Sequence, residues 1–427
     1  MIYDWDNARA LFGLGLIILT CWALSEDKRR FPWLLALGAL ALQAAIVALL
    51  FATPWAGALL EGTNNAMQGL TNSTQAGTQF VFGYLGGGAQ PFLVERPQGL
   101  FVFAFQVLPI ILVVSTLSAM LWHIGVLGAL IRGFGLVFQR TLGLGGASAL
   151  AVSANIFLGM VEAPLVIRGY LDRLTRSELF LLMTVGLSTV AGSTMAAYAA
   201  MLGPSLPGAA GHVLAASIMT APAGVLLARV MIPEGPGEGG SQAKYDSQLR
   251  YDGVMDAMLK GVSDGLAIAM NVGATLLVLV ALVALADALM GAAPDLLGAP
   301  LSVGRILSWL FWPLAWAMGV AGPDLAQAAR LLGTKMALTE FVAYLDLAAL
   351  PIEAISPRTR VILTYGLCGF ANLGSVGIMA AGLVTLLPHR RAEVLELCWK
   401  SLWPGFLASC LTGTLVAALP SALYTLG

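Results

Sequence analysis

Asn155 and Glu162, and much later Glu340 and Asn372, are polar or ionisable residues in stretches otherwise apolar enough to lie in a membrane. The first two belong to Asn155-Ile-Phe-Leu-Gly-Met-Val-Glu-Ala-Pro164 and the third opens Glu340-Phe-Val-Ala-Tyr-Leu-Asp346. An ionisable side chain in hydrocarbon costs about 2.5–3.5 kcal/mol on insertion scales, and non-helical backbone survives there only where protein covers it or water reaches it. The stretches around Glu162 and Glu340 therefore read as tips of re-entrant hairpins lining a polar cavity, against the plainer alternative of loops outside the membrane. Such a cavity suits ligand binding better than bond breaking. An intramembrane enzyme needs a nucleophile with a base, an aspartate pair or a His-Glu metal set, and only two glutamates on separate hairpins and scattered histidines are present.

The two carboxylate segments are followed by related sequence. Thr184-Val-Gly-Leu-Ser-Thr-Val-Ala191 matches Thr364-Tyr-Gly-Leu-Cys-Gly-Phe-Ala371 at four of eight positions. Glu162 precedes Thr184 by 22 residues and Glu340 precedes Thr364 by 24. Two broken hairpins, each followed by a helix interrupted by polar or small residues, are the sequence sign of an inverted-repeat secondary transporter. A channel or receptor built on the same fold is the alternative from another class.

The elements that must position these groups follow from composition. Hydrophobic residues fill 58% of the 427 positions and charged residues 11%, which describes a polytopic helical membrane protein, all-α. Eight spans are expected, over 10–24, 31–51, 101–121, 179–201, 212–231, 266–289, 361–387 and 401–423, with a shorter apolar piece at 306–320. Residues 53–99 suggest an interfacial helix and a glycine-rich turn, 133–146 a glycine-punctuated connection, and 233–241 a flexible linker. Residues 244–262 read as an amphipathic surface helix preceding the sixth span. The chain then divides into 1–130 (spans 1–3 with the interfacial helix, mainly scaffold), 131–232 (first repeat core), 233–265 (linker and surface helix) and 266–427 (span 6, second hairpin, spans 7 and 8). The basic runs Lys28-Arg-Arg30 and His389-Arg-Arg391 belong on the cytoplasmic side, which turns both termini outward. Asp4 and Asp6 stand where a secretory signal carries Lys or Arg, so the first apolar run is read as a retained helix.

Other chemistries find no support. Lys+Arg 22 against Asp+Glu 23 leaves no basic footprint for a nucleic-acid polymer. Cys21, Cys368, Cys398 and Cys410 lack CxxC spacing and read as buried thiols, and His123, His212 and His389 have no second ligand at helical spacing. The run Gly86-Gly-Gly88 lacks the Lys-Ser/Thr of a phosphate loop.

At these residues the chain resembles the concentrative nucleoside transporter family. The matching stretches, in family order over nearly the whole chain, are Ala154-Asn-Ile-Phe157 with Glu162-Ala-Pro164, Leu174-Thr-Arg-Ser-Glu-Leu179, Ala191-Gly-Ser193, Gly333-Thr-Lys335, Glu340 to Asp346, and Cys368-Gly-Phe-Ala-Asn372. The resemblance implies a homotrimer of eight-span protomers with two re-entrant hairpins, surrounded by lipid in the cell's inner membrane. A mobile transport domain would move against a trimerisation scaffold, driving nucleoside uptake by a sodium or proton gradient without an organic cofactor. It gives Glu340 the vicinal ribose hydroxyls, which a carboxylate accepts in charge-assisted hydrogen bonds. Asn372 and Ser375 match further sugar-binding positions, and Phe370 an apolar wall. Asn155 and Thr189 match the side-chain ligands of a sodium site completed by the carbonyls of Leu158 and Val190.

Three departures accompany the resemblance. The first hairpin tip reads Gly159-Met160-Val161-Glu162 where the family typically has Gly-Gln-Thr/Ser-Glu, so two side chains that usually hydrogen-bond the base are missing. Thr339 replaces an Asn before the second glutamate, and Ser148 a Glu seven residues before Asn155. Sugar and ion groups survive while base-reading groups do not, at about 1–3 kcal/mol per polar group left unsatisfied. Thr194 or Glu162 alone could supply the missing contact. One alternative is a riboside with a more apolar or modified aglycone, to which methionine adapts; the plainer one is an ordinary nucleoside carrier of reduced affinity.

Overall fold

The computed structural model describes residues 3–51, 56–93, 100–235, 250–292, 295, 298 and 300–420, which form helices and their connections with no strand among them. Most of the expected 233–241 linker and residues 244–249 of the expected surface helix lie outside the described residues, as do the last three positions of the eighth span.

Helix α1 (Trp5–Ala23) is nucleated by a capping box in which Asp4 and Asn7 satisfy each other's backbone N–H. Its buried face, Ala10, Leu14, Ile17 and Cys21, repeats at three and four residues and packs into the core. Helices α2 (Trp33–Phe51) and α3 (Ala56–Phe82) follow, α3 taking most of the region read as interfacial. Helices α4 (Phe103–Gln106) and α5 (Pro109–His123) make the third expected span. The 133–146 connection is not a loop: α6 (Val126–Leu142) runs through most of it and ends at Gly143, at φ 65°. Glycine costs a helix about 1 kcal/mol, but here Leu127, Ile131, Phe138 and Leu142 bury one apolar face and Gly135 lets Leu150 approach it.

The first hairpin is α7 (Gly146–Asn155), a non-helical tip and α8 (Ala163–Val166); the fourth span is broken into α9 (Arg176–Ser188) and α10 (Gly192–Leu202), and α11 (Ala209–Met231) is the fifth. The surface helix and sixth span, expected to be separate, are continuous from residue 254 as α12 (Val254–Gly291), 38 residues long. At 1.5 Å per residue that is about 57 Å, far more than the roughly 30 Å hydrocarbon core, so α12 either tilts across that core or extends beyond it. Nothing breaks it at the predicted boundary because Gly261 and Gly265 serve instead as close-approach points for the backbone of α5, at Thr116 and Leu112. The rest is α13 (Val303–Ala317), the second hairpin α14 (Leu325–Ala337) and α15 (Glu340–Ala349), the broken seventh span α16 (Pro357–Leu367) and α17 (Leu373–Leu386), and α18 (Arg391–Ala417).

The order α5 to α11 recurs as α12 to α18, and the two copies are inverted. Gly261, Gly265 and Gly273 of α12 meet residues 116, 112 and 108 in descending order, so the equivalent helices α5 and α12 are antiparallel. Helix α11 ends at the same face where α18 begins, for Glu26 N–H donates to Met231 O and Glu26 also binds Lys400. Among the described residues, four stretches are long and apolar enough to cross a membrane: Phe103–His123, Arg176–Leu202, Ala209–Met231 and Val254–Gly291.

Polar clusters fasten the two ends. At one, Arg176 at the start of α9 joins Glu26 (2.9 Å) and Glu396 (2.8 Å), Lys400 joins the same two carboxylates, and Arg390 donates to Leu174 O. Both basic connections therefore lie at this end. At the other, Arg358 at the start of α16 donates to Gly319 O and Ala417 O, Arg9 pairs with Asp6, and Asn7 donates to Ala417 O. Hydrogen bonds from Arg176 hold Glu26 below its usual range and pull Glu396 down to about 2. A depressed carboxylate contributes stability above its unfolded value and loses it as pH falls through the folded one. Glu396→Gln should therefore lower the melting temperature in detergent at pH 7 and low salt, reflecting a stability loss of no more than about 1 kcal/mol for a solvent-exposed pair. The gap to wild type should close between pH 4.5 and about 2, and a pH-independent gap would contradict this origin.

Candidate functional site

The interruption of α9/α10 at 189–191 and that of α16/α17 at 368–372 cross each other. Gly369 sits at φ +159°, and a Cβ there would lie 2.4 Å from Ser188 O, so only glycine permits the crossing. Phe370 N–H donates to Thr189 O across the two breaks (3.3 Å), while Gly192 N–H donates to Phe157 O at the tip of the first hairpin (3.0 Å). Backbone groups that each break removes from its helix thus find partners on the other elements, as hydrocarbon surroundings require.

Glu340 is the first residue of α15, where the helix N-terminus favours a negative charge, and Thr339 caps that helix by accepting from Val342 N–H. The carboxylate is buried and accepts from Tyr198 Oη (2.8 Å) and Asn372 Nδ2 (2.8 Å), one donor per oxygen. Asn372 caps α17, its Oδ1 accepting from Ser375 N–H (2.8 Å), which fixes the amide so that its NH2 must face Glu340. A carboxylate offers about four lone-pair positions, so Glu340 can take further donors beyond these two. Phe370 is half-buried beside this set and Ser375 is buried. Tyr198 was not anticipated; the available signal was its position four residues after Thr194, on one face of α10.

The second set surrounds Asn155, the last residue of α7. Its Nδ2 donates to Ala151 O (3.0 Å), and its Oδ1 is buried without a hydrogen-bond partner. Such an orphan costs about 1–3 kcal/mol unless something positive meets it. Thr189 Oγ1 is within donating distance of Asn155 O (3.0 Å) and Val185 O (2.9 Å), which uses its proton and leaves oxygen lone pairs. Gly186 leaves room for the Asn155 oxygen, 3.5 Å from where a Cβ would stand. The donor set of neutral hard oxygens suits a monovalent cation.

The remaining expected residues are dispersed. A cavity of about 90 Å³ at the first hairpin is lined by Leu158 and Glu162, by Ser193 of α10, and from α5 and α12 by Ser115, Ser118 and Asp264. Glu162 caps its own tip, accepting from Gly159 N–H (3.2 Å). Met160 packs toward Gly186 and Val161 toward Gly382, and neither lines this cavity. Nor do Glu340, Phe370, Asn372 or Ser375. Thr194 is buried and its hydroxyl donates to Ala191 O within the helix; Ser193 faces the cavity instead. Ser148, at the departure before Asn155, donates to Glu178, which forms a capping box with Thr175 at the start of α9.

Paired re-entrant hairpins, two crossed helix breaks and an inverted repeat define a secondary transporter. Residues 12–85 and 212–417 match the descriptions Na+ dependent nucleoside transporter N-terminus and C-terminus, and residues 104–205 match nucleoside recognition. The chain is 34% identical to the nucleoside permease NupC of Helicobacter pylori over 95% of this chain and 96% of that one. It is 32% identical to solute carrier family 28 member 3 of Homo sapiens, over 94% of this chain and 59% of the human one. The structure of CNTnw in an inward-facing substrate-bound state superposes with a TM-score of 0.86 at 34% identity, covering 97% of each chain. This chain belongs to the sodium-dependent, concentrative nucleoside transporter family.

Gly369→Ala should overpack the crossing and cost about 1–3 kcal/mol. Thermal melting in detergent checks it, and an unchanged midpoint would contradict the contact with Ser188 O.

Proposed function

We propose that this protein is a sodium-coupled carrier that takes up nucleosides across the cell's inner membrane by alternating access. The observation that carries the reading is the Glu340 carboxylate, positioned by Tyr198 and Asn372 with accepting capacity to spare, next to a helix break crossed by a second break with cation-type oxygens. Glu340 would accept the ribose hydroxyls, Asn372 and Ser375 would contact the sugar, and Phe370 would supply an apolar wall. Gly159 and Glu162 at the first hairpin tip and the neighbouring wall would face the base, with Met160 and Val161 turned toward Gly186 and Gly382 behind them.

The side chains of Asn155 and Thr189 and the carbonyls of Leu158 and Val190 would hold the sodium ion, and the orphaned Asn155 oxygen fits that role. A bound ion supplies positive charge at the end of α9, opposite the negative end of its dipole. A proton could not be shared among neutral oxygens of this kind as readily, which favours sodium as the coupling ion. The antiparallel pair α5 and α12 would form the scaffold of a homotrimer in lipid, with the hairpins and broken helices as the moving part.

Glu162, Ser193, Ser115, Ser118 and Asp264 line the hairpin cavity together with Trp122, Phe157, Leu158 and Leu165, a mixed surface suited to the apolar faces and polar edges of a base. Uptake of radiolabelled uridine and adenosine into proteoliposomes tests the whole reading, which predicts accumulation with an inward sodium gradient and little without it. Transport of neither would overturn it. Glu340→Gln should raise KM for uridine about tenfold, the worth of one charge-assisted hydrogen bond, and should leave 2′,3′-dideoxyuridine nearly unaffected. Equal loss for both would remove Glu340 from ribose recognition. Asn155→Ala should raise the half-saturating sodium concentration more than it lowers the amount of folded protein, and parallel loss of both would indicate a structural role.

A further inference from the structure

Lys335 has no part in the account above, although its side chain is fully buried. Its ammonium donates to Gly366 O (3.0 Å) and Ser409 Oγ and lies 5.1 Å from the centre of the Phe406 ring. No carboxylate stands within ion-pair distance of it among the described residues. An ammonium so placed is expensive to bury, and the groups that offset that cost are the ones around it at that point: a carbonyl oxygen, a hydroxyl oxygen and an aromatic face.

The repeat shows what that point is. Gly366, in Thr364-Tyr-Gly-Leu367, corresponds to Gly186, in Thr184-Val-Gly-Leu187. Each glycine lies in the last turn of the first half of a broken helix, α16 or α9, whose C-terminus carries roughly half a negative charge at mid-membrane. Beside Gly186 stands the unpartnered oxygen of Asn155; on the carbonyl of Gly366 stands the Lys335 ammonium. A second group of the same hairpin, Tyr344 Oη, donates to Thr364 O of that last turn (2.6 Å).

We propose that Lys335 is a tethered cation for the second break, serving α16/α17 as a mobile ion serves α9/α10, and that it thereby confines ion exchange to the first half. Its charge holds the end of α16, and through it the Gly369 crossing and Asn372, in place without an ion from solution. This deepens the transport reading and rests on it for the contrast between the two halves. Lys335 is a positioning residue: its hydrogen bonds go to Gly366 and Ser409, and it acts on the sugar site through the end of α16 and through its charge near Glu340.

The test compares wild type, Lys335→Ala, which leaves an ammonium-sized hole, and Lys335→Met, which fills the hole without charge. Ethylammonium chloride is the probe and ethanol the neutral control of similar size. Sodium-driven uridine uptake should fall about tenfold or more in both variants, as expected when a buried carbonyl loses a charged donor. Ethylammonium should restore uptake and raise the melting midpoint in detergent for Lys335→Ala alone, and ethanol should do neither. Wild-type uptake by Lys335→Met would overturn the proposal. So would equal rescue by ethanol, no rescue by ethylammonium, or Lys335→Ala that stays unfolded with ethylammonium while Lys335→Met folds. A wild type that moves no uridine would instead sink the substrate reading and leave the melting comparison standing.

Discussion

The crossing of two unwound helix segments is the constraint on which the rest depends. A polypeptide inside a membrane can abandon helical hydrogen bonding only if its freed backbone groups find partners. Here each break supplies the other: Phe370 N–H meets Thr189 O, and Gly369 lies so close to Ser188 O that no side chain fits between. Once fixed, the crossing leaves two helix C-termini and two new helix starts facing one another. Those ends give an otherwise apolar interior its directed polarity, and Asn372 at the start of α17 uses it to orient toward Glu340.

Charge is distributed around this centre in a way that follows the inverted repeat. Arg176 opens α9 at one end of the molecule and Arg358 opens α16 at the other, each tying its helix start to the chain elements nearby. Exposed carboxylates complete the first cluster, while buried carbonyls and Asp6 complete the second. The interior keeps few ionic groups, and Glu340 takes its donors from neutral side chains. The two halves thus share a frame and differ in what answers their polarity, an asymmetry a carrier needs if one half is to bind solute and the other an ion.

Much of this was legible in the sequence because membrane burial makes polar residues conspicuous. Asn155, Glu162, Glu340 and Asn372 stood out against apolar surroundings, and the structure places the last two in direct contact. Glycine was harder to read, since it can break a helix or let another element come close. Gly135 lies within α6, and Gly261 and Gly265 within an unbroken α12, because packing against neighbours outweighs the cost of helical glycine. Tyr198 looked like an ordinary member of its helix, and Lys335 stood out only as part of the Gly333-Thr-Lys335 match; the fold alone brings them to Glu340 and Gly366. The direction of Met160 and Val161 could not be read either, as it follows from how the hairpin tip packs on Gly186 and Gly382.

The central claim is that an ion at one break and a nucleoside at the other act through their crossing, which is a statement about linked binding. The most direct measurement is the dissociation constant of uridine for the purified protein in sodium and in choline, for wild type and Asn155→Ala. The account predicts that sodium tightens uridine binding about tenfold in wild type, within the usual range of coupling between sites, and hardly at all in the variant. Equal uridine affinity in sodium and choline for the wild-type protein would contradict it.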